Sequence, residues 1–390
     1  MGLKIEMKAH LIEKILPFWM NNTIDKKNGG FVGRIDGYGQ LHERAEKGSV
    51  LNARILWTFS AAFNQLKNPQ YLEVADRSFN YLAAHFIDKE FGGVFWMLDY
   101  HGKPIDTKKQ IYAQAFAIYG FSAYYKATKN EEALKAAIEL FGLIEKHSFD
   151  RKENGYFEAY DQQWNLLEDL RLSEKDANEM KTMNTHLHIL EAYTMLYKLW
   201  KDEKLKKQLI NLVHLFMDKF VTEDFKFRLF FDENWHSKSD EISFGHDIEG
   251  SWLLQEAAEI LADQPLITAT KTLANSMVDS VIKSGIDHDG GLLNEADANG
   301  ITDDDKHWWP QAEAIVGFVN AWRNSSDPKY LHWAEKVWEF TKNNIIDQEN
   351  GEWWFRVNKQ GRPYLTEDKV GPWKCPYHNG RACLEIIKRM

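Results

Sequence analysis

A short aromatic strand, led by glycine and closed by Asp or Asn, recurs six times along the chain, and this repeat narrows the fold more than any other feature. The copies read GGFVGRID (29–36), GGVFWMLD (92–99), NGYFEAYD (154–161), FRLFFD (227–232), GGLLNEAD (290–297) and GEWWFRVN (351–358). Their last residues, Asp36, Asp99, Asp161, Asp232, Asp297 and Asn358, lie 63, 62, 71, 65 and 61 residues apart. Turn chemistry follows several of them, as in Asp36-Gly37, Asn299-Gly300 and Gln360-Gly361-Arg362-Pro363. Each copy therefore reads as a small β-hairpin.

Between the hairpins the apolar pattern changes to helical periodicity. One helix precedes each hairpin, over 3–20, 70–86, 131–147, 203–219, 265–283 and 328–344. Another follows it, over 48–65, 109–127, 180–200, 246–262, 307–323 and 378–389. Asn68-Pro69, Gln264-Pro265 and Asp327-Pro328 mark helix starts. The post-hairpin set is poor in charge; residues 111–120 carry none. A helix apolar all round is a buried helix, so this set forms an inner ring, and the Lys- and Glu-rich pre-hairpin set lies outside. An open solenoid needs polar capping repeats, which are not seen. The expectation is an all-α fold: one (α/α)6 barrel of twelve helices over residues 1–390, with short β-hairpins at one end.

Charge and composition exclude several roles. Lys and Arg total 48 against 58 Asp and Glu, a formal charge of −10, which repels a phosphate backbone and argues against nucleic acid. No apolar run reaches membrane-spanning length. The charged N-terminus does not resemble a signal peptide, and Cys375 and Cys383 lack zinc-type spacing and read as reduced thiols. The expected compartment is the cytoplasm. The 15 Trp residues exceed what core packing asks for and suit stacking on the apolar faces of sugars.

Unusual polar residues gather near the start of every inner helix. They are Arg54; Tyr112 and Gln114; Asn184 and His188; His246 and Glu249; Trp308, Trp309 and Glu313; and His378 and Arg381. Taken singly, each has a structural explanation: a satisfied core histidine, a buried ion-pair partner, neighbours on one helix face. If the six helices run in the same direction, however, these groups meet at one mouth of the barrel and form a single pocket. His10, His85, His147, His214 and His332 fall on outer helices and carry no such expectation.

At these residues the chain resembles the N-acylglucosamine 2-epimerase superfamily, most closely its cellobiose 2-epimerase branch, from end to end. The matching blocks are SVLNARILW (49–57), MNTHLH (183–188), FGHDIE (244–249), KHWWPQAE (306–313) and GPWKCPYHN (371–379). The resemblance implies that His246 and His378 are general acid/base groups and that Arg54 and His188 meet the sugar oxygens. It implies a carboxylate, Glu249, that orients a catalytic histidine, taken to be His246. Trp373 and one of Trp308 and Trp309 would hold the two rings of a disaccharide, with Tyr112, Asp176, Asn184 and Glu313 as further substrate contacts. Inverting the carbon beside an aldehyde requires proton removal on one face and return on the other, work that histidines can do near neutral pH without metal or nucleotide. No phosphate-binding glycine motif is present. The expected reaction is epimerisation at carbon 2 of the reducing sugar of β-1,4-linked disaccharides, cellobiose or lactose. It needs no cofactor, and the protein would act as a monomer or weak homodimer. The rivals are epimerisation of mannose or N-acetylglucosamine, or aldose–ketose isomerisation, on the same barrel. A more distant rival is an (α/α)6 glycoside hydrolase using Glu249 and Glu313 as its carboxyl pair.

Overall fold

The structure is a computed structural model that describes residues 2–390. Six inner helices, Ser49–Leu66, Ile111–Thr128, Met183–Leu199, Phe244–Leu261, Trp308–Ser325 and Tyr377–Arg389, are buried along most of their length. Each packs on the next, and the sixth packs on the first and so closes the ring. Outer helices such as Glu131–His147 and Gln264–Ser284 bury only one stripe, as an amphipathic helix at a surface does. Observed starts lie within three residues of the expected ones. The largest shift is at Met183, because Lys181 and Thr182 are taken into a strand paired with Phe230 and Phe231.

Four outer helices end or bend in five-residue π-helical turns: Leu11–Ile15, Leu82–Phe86, Phe216–Phe220 and Thr341–Ile345. A 3.6-residue periodicity carries no sign of these. Asn68 and Asp327 cap their helices as expected, whereas the helix assigned a start at Gln264-Pro265 is capped one residue earlier by Asp263. None of the described helices is long and apolar enough to cross a membrane.

The hairpins do more than connect helices. The two residues before each of the first five inner helices pair, antiparallel, with the hairpin strand of the next repeat. Lys47–Gly48 pairs with Met97–Leu98, Lys109–Gln110 with Ala159–Tyr160, and so on. The last strand, Asp368–Val370, pairs with Ile35–Asp36 of the first repeat and completes the circle. This pairing brings all six inner N-termini to one end. The recurring Asp or Asn closes each hairpin turn; the Asp232 carboxylate, for example, accepts from the amides of Asn234 and His236.

Two buried devices repeat with the barrel. In five repeats a buried lysine ahead of the inner helix pairs with an aspartate after the outer helix: Lys47–Asp25 at 2.8 Å, Lys109–Asp88 at 2.7 Å, Lys181–Asp150 at 2.7 Å, Lys306–Asp287 at 2.6 Å, and Lys369–Asp347. The fourth repeat has Ile242 and Thr222 in these places. Both partners are replaced together, as expected when one alone would be a stranded buried charge costing about 3–5 kcal/mol.

The second device is the fourth residue of the second, third and fifth inner helices. Gln114 accepts from the Val94 amide (2.7 Å) and donates to its carbonyl (2.9 Å), and Gln311 does the same with Leu292. His186 stands in the same place: its Nε2 accepts from the Tyr156 amide (2.9 Å) while Nδ1–H donates to the Thr182 carbonyl (2.6 Å). Gln114, which the sequence placed among the pocket groups, is thus a clamp on the neighbouring strand.

Burial holds His186 neutral, its pKa pushed down to about 3. A depressed histidine stabilises the fold above its unfolded pKa of about 6.5 and loses that stabilisation as pH falls towards the folded value. Between about pH 6.5 and about pH 5 the loss from this one ring is about 2 kcal/mol. His186→Gln borrows the clamp used in the second and fifth repeats. Denaturant titrations are expected to show a variant close to wild type at neutral pH that loses about 2 kcal/mol less on acidification to about pH 5. An unchanged acid sensitivity would disprove the clamp's role.

Candidate active site

At the end where the inner N-termini converge, the polar side chains form one connected network. Arg54 is buried, and among the described residues it makes no ion pair. Its Nη2 donates to the Tyr112 hydroxyl at 2.7 Å, and its guanidinium lies 4.1 Å from the Phe116 ring centre and 4.8 Å from that of Tyr377. A buried cation held by rings and one neutral hydroxyl keeps its charge available for an incoming oxyanion. The Tyr112 ring meets both His188 (4.9 Å) and Trp373 (5.9 Å) edge-on.

Beneath these groups lies a charged layer. Arg381 donates to Glu191, Glu249 and Glu313, which come from three different inner helices, and to the Tyr377 hydroxyl. Glu313 also accepts from His378 Nδ1–H at 2.7 Å and from the Trp252 indole at 3.2 Å. Glu191 contacts His188 Nδ1 at 3.0 Å. Three carboxylates share one guanidinium, so burial and the Glu313 charge push the Glu249 carboxyl up to about 7. Burial also works against a charged Glu191, but Arg381 and His188 outweigh it and hold that group down to about 2.

The two histidines expected to move protons flank Trp309. The His246 ring centre is 4.7 Å from this half-buried indole and the His378 ring centre 5.7 Å from it, so the imidazoles lie no farther apart than those two distances end to end. His246 Nδ1 is bonded to Ser243 Oγ at 2.8 Å, and His378 Nδ1 is held by Glu313. In both rings Nε2 is therefore the nitrogen left for chemistry. Burial lowers both pKa values, reinforced at His378 by Arg54 and Arg381. Both rings are thus neutral bases at neutral pH.

The structure revises several expected roles. Glu249 does not hold His246: Ser243 does, and Glu249, in the second turn of the helix, is turned onto Arg381 in the charged layer. Glu313 is fully buried and supports His378, with no surface left for substrate. Trp308 is buried against Phe355 (4.5 Å) and beneath Lys374, so the indole exposed to the cavity is Trp309. Asn184, Asp176 and His246 line one cavity together; Asn184 Oδ1 has no protein partner, while Asp176 already accepts from Ser173. Trp373 lies at the mouth beside Trp96, at 5.8 Å. Glu191 was not singled out in the sequence, and Arg381 was noted there without a role. Their signal was present: a Glu three residues beyond His188 and an Arg three beyond His378, each one turn on along the same helix.

Glu249, Glu313 and His378 bring three ligand-type atoms within 4.8 Å of one another. The guanidinium of Arg381 already occupies the cation position between the two carboxylates, so the donor set is spent on the protein's own charge. The same closeness disqualifies this pair for inverting hydrolysis, which needs carboxyl groups about 6.5–9.5 Å apart with a sugar between them.

Residues 29–382 match the family model described as N-acylglucosamine 2-epimerase (GlcNAc 2-epimerase). A cellobiose 2-epimerase from Bacteroides fragilis is 50% identical over 387 residues, which cover 99% of this chain and 98% of that protein. The structure of cellobiose 2-epimerase from Bacillus thermoamylovorans superposes with a TM-score of 0.95 at 39% identity, covering all of both chains. A D-mannose isomerase superposes at 0.87 but with 21% identity, covering 99% of this chain and 98% of that one, a likeness of fold alone.

The charged layer gives a stability test. Arg381→Met leaves three buried carboxylates without their counter-ion, and a loss of about 3–5 kcal/mol is expected in denaturant unfolding at neutral pH. A variant as stable as wild type would show that the layer does not depend on this arginine.

Proposed function

Because this chain belongs to the N-acylglucosamine 2-epimerase family and is a sugar 2-epimerase of the cellobiose type, we propose that it inverts carbon 2 of the reducing-end sugar in β-1,4-linked disaccharides by proton transfer between His246 and His378. The observation that carries this reading is the pair of neutral imidazoles on either side of Trp309, each with Nδ1 committed and Nε2 free. Cellobiose would give glucosyl-mannose and lactose would give epilactose.

The opened sugar presents a weakly acidic C2–H beside its aldehyde. One imidazole removes that proton, charge develops on the carbonyl oxygen, and the unpaired guanidinium of Arg54 is the nearby charge that stabilises it, help worth about 3 kcal/mol per donor. The second histidine serves the opposite face only when it carries a proton on Nε2, taken up from solvent beforehand; it gives that proton to carbon 2, and the two rings exchange protonation states over one turnover. Glu313 supports His378 in this role by accepting Nδ1–H and stabilising the imidazolium whenever it forms. His246 has a neutral serine instead, so the two bases differ in how readily they hold a proton. Tyr112, Asn184 and His188 border the space where the sugar hydroxyls would lie, and Trp373 with Trp96 offers a platform for the second ring.

Product analysis after incubation with cellobiose tests the reading directly; release of glucose, or no change, would overturn it. In heavy water, His246→Asn and His378→Asn are each expected to abolish inversion. Each keeps one base, so one variant is expected to exchange the C2 hydrogen of the gluco sugar slowly and the other that of the manno epimer. Near wild-type epimerisation by either variant would remove that histidine from the mechanism. For the platform, Trp373→Ala is expected to raise KM for cellobiose about fivefold, since loss of one stacked ring costs about 1 kcal/mol. An unchanged KM would place the second ring elsewhere.

A further inference from the structure

His188 sits in the wall of the site with Nδ1 3.0 Å from a carboxylate oxygen of Glu191, both groups fully enclosed. The other oxygen of Glu191 is taken by two donors, Arg381 Nη1 and the Tyr377 hydroxyl. An ionised carboxylate accepts hydrogen bonds and cannot donate them. The oxygen facing His188 therefore requires a proton on Nδ1, and a neutral His188 has its lone pair on Nε2.

We propose that Glu191 is a positioning residue that locks neutral His188 in its Nδ1–H form, so that His188 offers the substrate an acceptor for a sugar hydroxyl and not a donor for the oxyanion. This tautomer is the one an exposed imidazole does not favour, so the protein must enforce it. It also divides the work between neighbours: Arg54, which carries five N–H groups and no acceptor, is the donor to the developing charge, and His188 orients the sugar through the hydrogen of a hydroxyl. The tautomer follows from the geometry alone, while its effect on turnover rests on the epimerase reading above.

Glu191→Gln makes the inference sharp. Arg381 and Tyr377 both donate, so they keep the amide oxygen of Gln, and its NH2 group turns to His188. Nδ1 must then accept, and the proton moves to Nε2. The measurement is 15N NMR of the imidazole nitrogens, with the His188 signals assigned by their absence in His188→Gln. At about pH 8, where an ordinary histidine is neutral, wild type is expected to show a protonated Nδ1 and a bare Nε2, and Glu191→Gln the reverse. Glu191→Asp retains the carboxylate and is expected to keep the wild-type pattern. In the cellobiose assay, Glu191→Gln is expected to lose about 10-fold in kcat, since one orienting hydrogen bond to the sugar is lost, with circular dichroism unchanged.

A protonated Nε2 in wild-type His188 overturns the proposal, whether or not any variant folds. So does full activity in a Glu191→Gln protein whose tautomer has switched. Wild-type protein that shows the expected tautomer yet leaves cellobiose unchanged would count against the epimerase reading and leave the Glu191 lock standing.

Discussion

The site is built on Arg381. Its guanidinium lies at the barrel axis and bonds carboxylates from the third, fourth and fifth inner helices, while it is itself carried by the sixth. Desolvating four charged groups costs several kcal/mol apiece, and only good geometry and further hydrogen bonds repay it. The further bonds are those that matter for chemistry: Glu191 holds His188 and Glu313 holds His378. A hydrophobic plug at this level would stabilise the barrel as well or better. It would leave the imidazoles free to rotate, so the ion cluster is best understood as a device for orientation.

Orientation at the axis needs a ring that does not open, and the hairpins provide it. Each two-residue strand pairs with the hairpin of the next repeat, and the last pairs with the first. Buried Lys–Asp pairs fix where each strand enters its helix. Repeat four, which carries His246, is the one without this pair and also the one whose hairpin has no leading glycine. There Asp247 accepts from the Phe227 amide at 2.7 Å, and burial pushes its carboxyl up to about 8. A neutral acid thus does the accepting half of the work that an amide does in the second and fifth repeats, its other oxygen making no hydrogen bond.

Much of this was legible in the sequence. The hairpin repeat gave the barrel and the ring in which each helix lies, because period and spacing survive divergence of the side chains. The convergence of Arg54, Tyr112, His188, His246, Trp309 and His378 followed from helix direction alone. Less accessible was which group touches which. Assigning Glu249 to His246 followed the family resemblance, whereas the actual partners, Ser243 and Arg381, are set by how far the helix is rotated towards the axis. Glu313 looked like a substrate contact because it shares a block with Trp309, yet its depth below His378 is a tertiary fact. The π-helical turns and the Lys–Asp pairs were visible only in principle, the latter as five lysines ahead of the inner helices.

His186 and His188 show why depth and direction decide function where residue type does not. They are two positions apart on one buried helix, and each donates Nδ1–H. For His186 the acceptor is a carbonyl of its own helix, and Nε2 is consumed by the amide of Tyr156. Both nitrogens are satisfied by backbone, so the ring can be replaced in principle by the glutamine that other repeats use. For His188 the acceptor is a carboxylate anchored to the barrel axis, and Nε2 is left facing the cavity side of Tyr112 and Phe116. Two residues along a helix is about 200° of rotation, enough to move a side chain from the strand behind the helix to the pocket in front. The fourth position of the second to fifth inner helices therefore belongs to the scaffold.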